Sequence, residues 1–379
     1  GESHYLMDAA SQIATLGLGF NPSQFFGTAH LIESWTNNSQ SSEFKQFRKG
    51  FEAFLQRKLS WTNLFTTFCH SGAEANEIAL GYCYRNRKNM NAKTILAFEG
   101  SFHGRMMMTL TSTWNKSKRE PFEWPEFQTE YVKYPGIQTT DIHPELPTNW
   151  KELWSNSCLT RIDIPAKWQQ DNQLNSEIQS PLSVHKLLLE KKIFSIIIEP
   201  MQCEGGDNYG TSRFYTALLL MARSFNIKVI FDEVQTGFHL GRNFFWHRQL
   251  KLTDSNNEIL SPDYVVCAKK SQVGIVLSHQ EEKVEEEFQV ASAVRGYIHA
   301  VTLDQQKDQI HWLQKESFSR LQLLTEQFSS HIHSARSNGL AFAFDLNDSE
   351  KIPAFIKNRF DFGLLYYPAG KNTLRFRFI

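Results

Sequence analysis

Lys228-Val229-Ile230-Phe231-Asp232-Glu233-Val234-Gln235 and Tyr264-Val265-Val266-Cys267-Ala268-Lys269 are the two segments on which the reading of this chain turns. Each is a short apolar run that ends in charge. A continuous β-branched and aromatic run of this length predicts a strand buried on both faces, and in open α/β sheets ligands collect beyond the carboxyl ends of such strands. An acid, Asp232, and an amine, Lys269, are therefore expected to face one crevice. A buried carboxylate holds a heteroaromatic ring nitrogen in its protonated form, and a desolvated lysine with a lowered pKa forms a Schiff base with an aldehyde. Together they suit pyridoxal phosphate, whose protonated ring withdraws electrons from a carbanion on the substrate.

Composition narrows the alternatives. A chain of 379 residues exceeds one ordinary core, so a large domain with a smaller one is expected. Lysine plus arginine and aspartate plus glutamate both number 40, with no basic tail, which argues against nucleic acid or anionic membrane as a partner and leaves small neutral or zwitterionic molecules. The five cysteines (Cys69, Cys83, Cys158, Cys203, Cys267) are scattered without a Cys-x-x-Cys pair, so neither a disulfide framework nor a zinc ribbon is indicated. No His-Glu-x-x-His, Gly-x-Gly-x-x-Gly or Gly-Lys-Ser/Thr pattern occurs, and no metal site is expected. The first residues lack the basic and apolar parts of a signal peptide, and no apolar stretch is long enough to span a bilayer. A soluble protein in the reducing cytoplasm is the expectation.

Along the chain, phenylalanines 44, 47, 51 and 54 recur at helical spacing and predict a core-facing helix over 42–58. A strand over 64–69 then leads into Ser71-Gly72-Ala73-Glu74, which matches a capping box opening a helix. That helix start offers free amides and the positive dipole end at Gly72 and Ala73, a suitable cradle for phosphate. Another strand over 94–98 precedes Glu99-Gly100-Ser101-Phe102-His103-Gly104-Arg105. The pattern dissolves between about 121 and 181, read here as an insertion, and resumes with a strand at 194–198, Glu204-Gly205-Gly206 and a helix over 213–225. The acidic run 281–287 reads as a solvated helical face. A helix over 305–328 and strands at 340–346, 363–367 and 374–378 suggest a separate α+β lobe. The resulting division is an N-terminal segment (1–40), a large α/β domain with a mostly parallel sheet and helices on both faces (41–290), and a small C-terminal domain (291–379).

These motifs resemble the class III aminotransferases, pyridoxal-phosphate enzymes of fold type I. The resemblance runs from Tyr5-Leu6-x-Asp8 through His70-Ser71-Gly72-Ala73-Glu74-Ala75, Phe102-His103-Gly104-Arg105, Glu199-Pro200-x-Gln202-x-Glu204-Gly205-Gly206, Asp232-Glu233-Val234-Gln235-Thr236-Gly237 and Pro262-Asp263 with Lys269, to Leu374-Arg375-Phe376. Ser11-Gln12-Ile13-Ala14, Gly19-Phe20-Asn21 and the Lys269-Lys270 doublet are similar to the branch that holds 4-aminobutyrate and L-lysine ω-aminotransferases.

The resemblance implies that Lys269 carries the cofactor aldehyde and moves the substrate proton, with Lys270 as the competing amine, and that Asp232 pairs with the ring nitrogen. Phe102 and Val234 would pack on the ring's two faces and Gln235 would bond its hydroxyl oxygen. Arg375 would take a substrate carboxylate and Glu204 would cover Arg375 when a distal amine is bound. Arg105 would hold the far carboxylate of a 4-aminobutyrate- or lysine-like donor. Arginine suits these tasks because its planar fork matches a carboxylate. An amino donor and 2-oxoglutarate are the implied substrates, on a homodimer.

One departure stands out. Relatives carry serine-threonine-tryptophan/phenylalanine-glycine-glycine, whose threonine reaches the partner subunit's phosphate, where this chain has Ser292-Ala293-Val294-Arg295-Gly296. Ser292 or Arg295 is left to replace the missing hydroxyl. Another pyridoxal-phosphate reaction such as racemisation, or a catalytically silent module of a larger protein, are the alternatives on the same scaffold.

Overall fold

The computed structural model describes residues 5–28, 38–122, 126–137, 141–159, 161–283 and 285–378. Parts of the expected N-terminal segment (1–4 and 29–37) and of the 121–181 stretch (123–125, 138–140 and 160) lie outside them.

Seven strands form the main sheet: β1 (Phe65–Cys69), β2 (Thr94–Phe98), β3 (Gln128–Val132), β4 (Ile193–Ile198), β5 (Lys228–Asp232), β6 (Tyr264–Cys267) and β7 (Gly274–Ser278). Their spatial order is β1-β7-β6-β5-β4-β2-β3. Every pair is parallel except those made by β7, which runs antiparallel to both β6 and β1. The segment joining β6 to β7 is too short for a crossover helix, so the chain turns back on itself there.

Side-chain alternation assigns the two faces. Ile230, Tyr264, Val266 and Val276 pack with Ala75, Ala79, Leu80 and Cys83 of helix α1 (Gly72–Arg85) in one core. Val229, Phe231, Val265, Cys267, Ile275 and Leu277 pack in the other, with Phe214, Leu218 and Met221 of a helix spanning Ser212–Phe225. Strands covered on both sides read as unbroken apolar runs, which is why β5 and β6 are the clearest features of the sequence. The phenylalanine-striped helix forms over Ser42–Leu59, capped by the Ser41 hydroxyl accepting from the Phe44 amide, and ends on Ser60 in the left-handed region. Its Phe44, Phe51 and Phe54 are buried as the spacing predicts.

The 121–181 stretch contributes regular structure to the sheet layer. β3 continues the sheet at its edge, where Gln128 and Glu130 are exposed, and an edge strand with polar side chains lacks the apolar run by which the others are read. An 18-residue helix, Asn172–Leu189, begins within the Gln/Asn-rich segment and tolerates Pro181 inside it. Its Glu177 is fully buried in an ion pair with Arg213. The acidic run differs more sharply from expectation. Its described residues form no helix; Glu286 instead accepts from the Arg48 guanidinium at 2.6 and 3.0 Å and from the Phe68 amide at 2.9 Å, while Glu282 accepts from the Tyr264 hydroxyl at 2.8 Å. Those partners replace solvent and pin an extended segment against β1.

A second sheet, antiparallel, holds β8 (Ile332–Asn338), β9 (Ala341–Leu346), β10 (Tyr367–Ala369) and β11 (Thr373–Arg377) in the order β8-β9-β11-β10. β8 went unread in the sequence because it alternates Ser, Arg and Asn with little apolar content. Gly339 turns β8 into β9 at φ +62°, and a Cβ there would stand 2.2 Å from the Leu240 carbonyl oxygen. Arg336 and Arg377 tie this sheet to the loop after Gly205: Arg336 Nε donates to the Asp207 carbonyl at 3.0 Å, and Arg377 grips the Asp207 carboxylate through two nitrogens at 2.6 and 2.7 Å. The Gly370 amide also donates to the Glu204 carbonyl at 2.8 Å. Arg375 is thereby delivered to the mouth of the main sheet.

Removing one partner of a buried ion pair strands the other charge. Glu177→Ala is expected to lower unfolding free energy by about 3–5 kcal/mol in a urea titration at neutral pH; a loss under about 1 kcal/mol would show that the Asn172–Leu189 helix is not integral to the core.

Candidate active site

Beyond the carboxyl ends of β5 and β6 lies a cavity of about 810 Å³. All ten residues singled out from the sequence line it: Gly72, Ala73, Phe102, Arg105, Glu204, Asp232, Val234, Gln235, Lys269 and Arg375. The sheet register explains the first pairing, since Asp232 is the neighbour of Val266 across parallel strands, three residues before Lys269.

Asp232 follows Ile230 on the face covered by α1. It is buried, and three donors hold it: Asn76 Nδ2 and His103 Nδ1 on Oδ2, both at 2.8 Å, and the Val234 amide on Oδ1 at 3.0 Å. The His103 contact requires its proton on Nδ1, and His103 Nε2 is buried without a partner among the described residues. A carboxylate offers about four lone-pair sites. Oδ1, which accepts only from the Val234 amide among the described residues, therefore retains capacity for one more donor.

Lys269 leaves β6 through a left-handed backbone conformation, φ +57°, after a fully extended Ala268. A side chain other than glycine pays about 1–3 kcal/mol for that geometry, which clusters at functional positions. Here the turn breaks the strand's alternation and directs the amine into the cavity. Burial lowers the Lys269 pKa below the ordinary 10.5, with Arg375 and Arg377 adding repulsion and Asp232 opposing it. Lys270 is lowered further, to about 7, by burial and Arg377. Geometry still separates the two: Lys270 does not line the cavity, and its Nζ reaches the Gln235 carbonyl at 3.4 Å.

The N-terminus of α1 closes the floor. Ser71 accepts from the Glu74 amide at 3.2 Å, and Glu74 reaches back to the His70 amide at 2.8 Å, one residue earlier than a reciprocal capping box would place it. The first-turn amides of Gly72 and Ala73 have no carbonyl one turn back to bond. Gly72 is required by packing, because a Cβ there would lie 2.6 Å from Val234 Cγ1. The amide oxygen of Gln235 accepts from Arg377 Nε and Nη2, both at 3.2 Å, so its NH2 group is turned away from that guanidinium.

At the opposite wall, Arg375 Nη2 meets Glu204 Oε2 at 3.2 Å, and Arg375 Nη1 is buried without a partner among the described residues. Arg105 is exposed on the cavity and makes no ion pair among the described residues. Four cavity residues were missed from the sequence. Asn76 stands one helical turn past Gly72, a spacing that would have found it; His103 was named but left out. Glu199 was quoted only as part of a motif; it accepts from the Phe102 and Cys203 amides, and burial, with Asp232 beside it, raises its carboxyl well above the usual range. Lys118 sits in a polar segment with no motif to mark it.

Donors and acceptors of this kind match pyridoxal phosphate group by group: an acceptor site for a ring N–H, a helix N-terminus for phosphate and a desolvated amine for the aldehyde. The class-III aminotransferase model matches residues 2–378. The chain belongs to the class III aminotransferases. Pyridoxal 5′-phosphate is the cofactor of this family, and the fold is that of its fold type I transferases. Among relatives, the mitochondrial acetylornithine aminotransferase of Candida glabrata is 29% identical over 325 residues, 81% of this chain and 65% of that protein. A probable mitochondrial 4-aminobutyrate aminotransferase of Caenorhabditis elegans is 23% identical, over 99% of this chain and 80% of its own length. The solved lysine aminotransferase of M. tuberculosis superposes with a TM-score of 0.79 at 22% identity, covering 98% of this chain and 85% of that one. The chain thus spans just under two thirds of the Candida relative.

Attack on an aldehyde needs a neutral amine. Since folding lowers the Lys269 pKa below 10.5, reattachment of pyridoxal phosphate to the stripped protein is expected to accelerate with pH and level off below 10.5, followed by cofactor absorbance. A plateau reached only above 10.5 would contradict a desolvated Lys269.

Proposed function

We propose that this chain is an aminotransferase that moves a terminal ω-amine from a 4-aminobutyrate-, lysine- or ornithine-like donor to 2-oxoglutarate. The observation that carries the reading is the meeting, in one cavity, of Lys269 and Asp232 with an arginine whose neighbouring carboxylate covers only one of its nitrogens.

When bound, pyridoxal phosphate supplies an aldehyde and an electron-withdrawing ring. Lys269 Nζ would hold the cofactor's aldehyde carbon and would move a proton to and from the substrate carbon, a task suited to an amine that is neutral part of the time. Asp232, fixed by Asn76 and His103, would hold the ring nitrogen and favour its protonated form. The Gln235 amide would donate to the ring's hydroxyl oxygen, a donor left available by the orientation of Gln235 Oε1 toward Arg377. Phe102 and Val234 would pack against the ring, and the Gly72 and Ala73 amides would hold the phosphate.

Two carboxylates must be accommodated in turn. Arg375 receives the one beside the reacting carbon of 2-oxoglutarate or glutamate, and Glu204 covers Arg375 when the donor presents an amine with no carboxylate beside it. Arg105 takes the donor's distant carboxylate. We also propose a homodimer. Ala293 is buried in the helix Val290–Gln305 and offers no hydroxyl, so Ser292 or Arg295, both half-buried, would serve a neighbouring phosphate. All five cysteines are free, which supports a reducing compartment such as the cytoplasm. No helix among the described residues is long and apolar enough to cross a membrane.

Glutamate formation from 2-oxoglutarate with a panel of ω-amine donors tests the reaction; cofactor-loaded protein that yields none with any donor overturns it. Borohydride reduction and peptide mapping are expected to find the pyridoxyl group on Lys269, whereas recovery on Lys270 would reverse the assignment. Arg375→Lys is expected to weaken handling of 2-oxoglutarate by about 1.5–3 kcal/mol, the scale of a hydrogen bond to a charged partner. Unchanged kcat/KM for the keto acid would remove Arg375 from its role.

A further inference from the structure

Glu204 has two cationic partners. Its Oε2 meets Arg375 Nη2 at 3.2 Å, and its Oε1 accepts from the ammonium of Lys118, which also lies 4.7 Å from the centre of the Phe102 ring. Lys118 extends from the short helix Lys116–Arg119, capped by Asn115, and lines the same cavity. The contact to Arg375 is single-pronged, although a guanidinium and a carboxylate can engage through two parallel bonds. The second prong is missing because Lys118 holds the other carboxylate oxygen, and Arg375 Nη1 is left buried and unpartnered among the described residues. Burial works to raise the Glu204 pKa, but Lys118 and Arg375 outweigh it and keep the carboxyl below its ordinary value.

We propose that Lys118 is the second anchor of Glu204 and sets how readily Arg375 is released to a carboxylate, and so how the site divides between dicarboxylate keto acids and donors that present only an amine. This rests on the reading that Arg375 receives the keto acid. A carboxylate arriving on Arg375 displaces Glu204 from one bond only, and the displaced group stays compensated by Lys118. Without Lys118, Glu204 is free to take Arg375 through both oxygens, and the incoming anion must break a complete fork and leave a partly buried carboxylate with no cation. Lys118 is a positioning residue in this scheme: it acts on the substrate through Glu204. Its stacking on Phe102 fixes the ammonium at the distance where it can reach Glu204.

Glutarate, which carries the two carboxylates and cannot react, is the probe. Its dissociation constant is measured on cofactor-loaded protein by calorimetry and by the shift in cofactor absorbance. Lys118→Met is expected to weaken glutarate on the order of fivefold, the scale of one partly exposed ion pair, and Lys118→Arg to restore most of it. Glu204→Gln is expected to tighten glutarate, and adding Lys118→Met to that variant to change nothing further, since the lysine then has no carboxylate to hold. Wild-type affinity in Lys118→Met alongside tightening in Glu204→Gln overturns the role of Lys118 while leaving the cover intact. The same fivefold loss in the double variant as in the single one also overturns it, by showing that Lys118 meets the ligand directly. If Glu204→Gln leaves glutarate binding unchanged, the cover itself fails, and this proposal with it.

Discussion

The buried carboxylate of Asp232 is the constraint around which the rest is arranged. An ionised group in that position is costly unless every side of it is answered, and its answers come from three separate parts of the chain. Asn76 comes from α1, His103 from the loop after β2, and the Val234 amide from the turn just beyond β5. Each bond fixes the position of its own element as well as the acid. The same loop is tied a second time to α1, because Glu77 accepts from the amides of Met108 and Thr109, both at 3.0 Å. The remaining acceptor capacity on Asp232 Oδ1 is what would allow the proposed pairing with a protonated ring, where a fully answered carboxylate would be a closed structural knot.

Lys269 shows the complementary device. Strand alternation alone would send its side chain to the face of Cys267, into the core. One left-handed residue reverses this, and the strain is held by neighbours that leave no alternative: Ser271 Oγ bonds the Val273 carbonyl at 2.6 Å, and the Gln272 side chain donates to the Lys269 carbonyl at 2.9 Å. Lys270, with ordinary geometry, is buried behind the turn, where its carbonyl accepts from His299 Nδ1 at 2.7 Å. The doublet is therefore split, one lysine lining the cavity and one buried in the packing behind it. The more strongly depressed amine is the one that cannot reach the ligand.

What could be read from the sequence follows from how local the physics is. β5, β6 and α1 announce themselves because they are covered on both faces or capped by a local motif; of the ten candidate residues, Asp232, Lys269, Gly72 and Ala73 were reachable from strand ends and a helix start, whereas the other six came only from the resemblance to the family's motifs. β3 and β8 were missed for the opposite reason: an edge strand with exposed glutamine and glutamate, and a strand of serine, arginine and asparagine, derive their pairing from neighbours far away in the chain. The acidic run misled because like charges in sequence suggested solvent, whereas Arg48, Tyr264 and the Phe68 amide supply partners from distant elements. Lys118 belongs to the same class. Nothing local distinguishes it from the lysine at 116, and only the Glu204 carboxylate, brought beside it from a distant part of the chain, supplies its partner.

Charge balance in the cavity states what the arrangement is for. Lys269, Arg105, Arg375 and Lys118 contribute cationic groups, while Asp232 and Glu204 contribute anions. Glu199 counts for little, because burial and the field of Asp232 favour its protonated form. Burial and the neighbouring arginines disfavour the charged form of Lys269, and the excess of arginine at the mouth remains. Field lines in such a recess concentrate on anions. Under the proposed function a phosphate on the floor and one or two carboxylates at the wall would balance it, the first at the helix start and the second at the arginines. The proposed reaction releases one acid and admits another, for which arginines tightly paired with protein carboxylates would be unsuited, and the single-pronged contact between Glu204 and Arg375 is compatible with it.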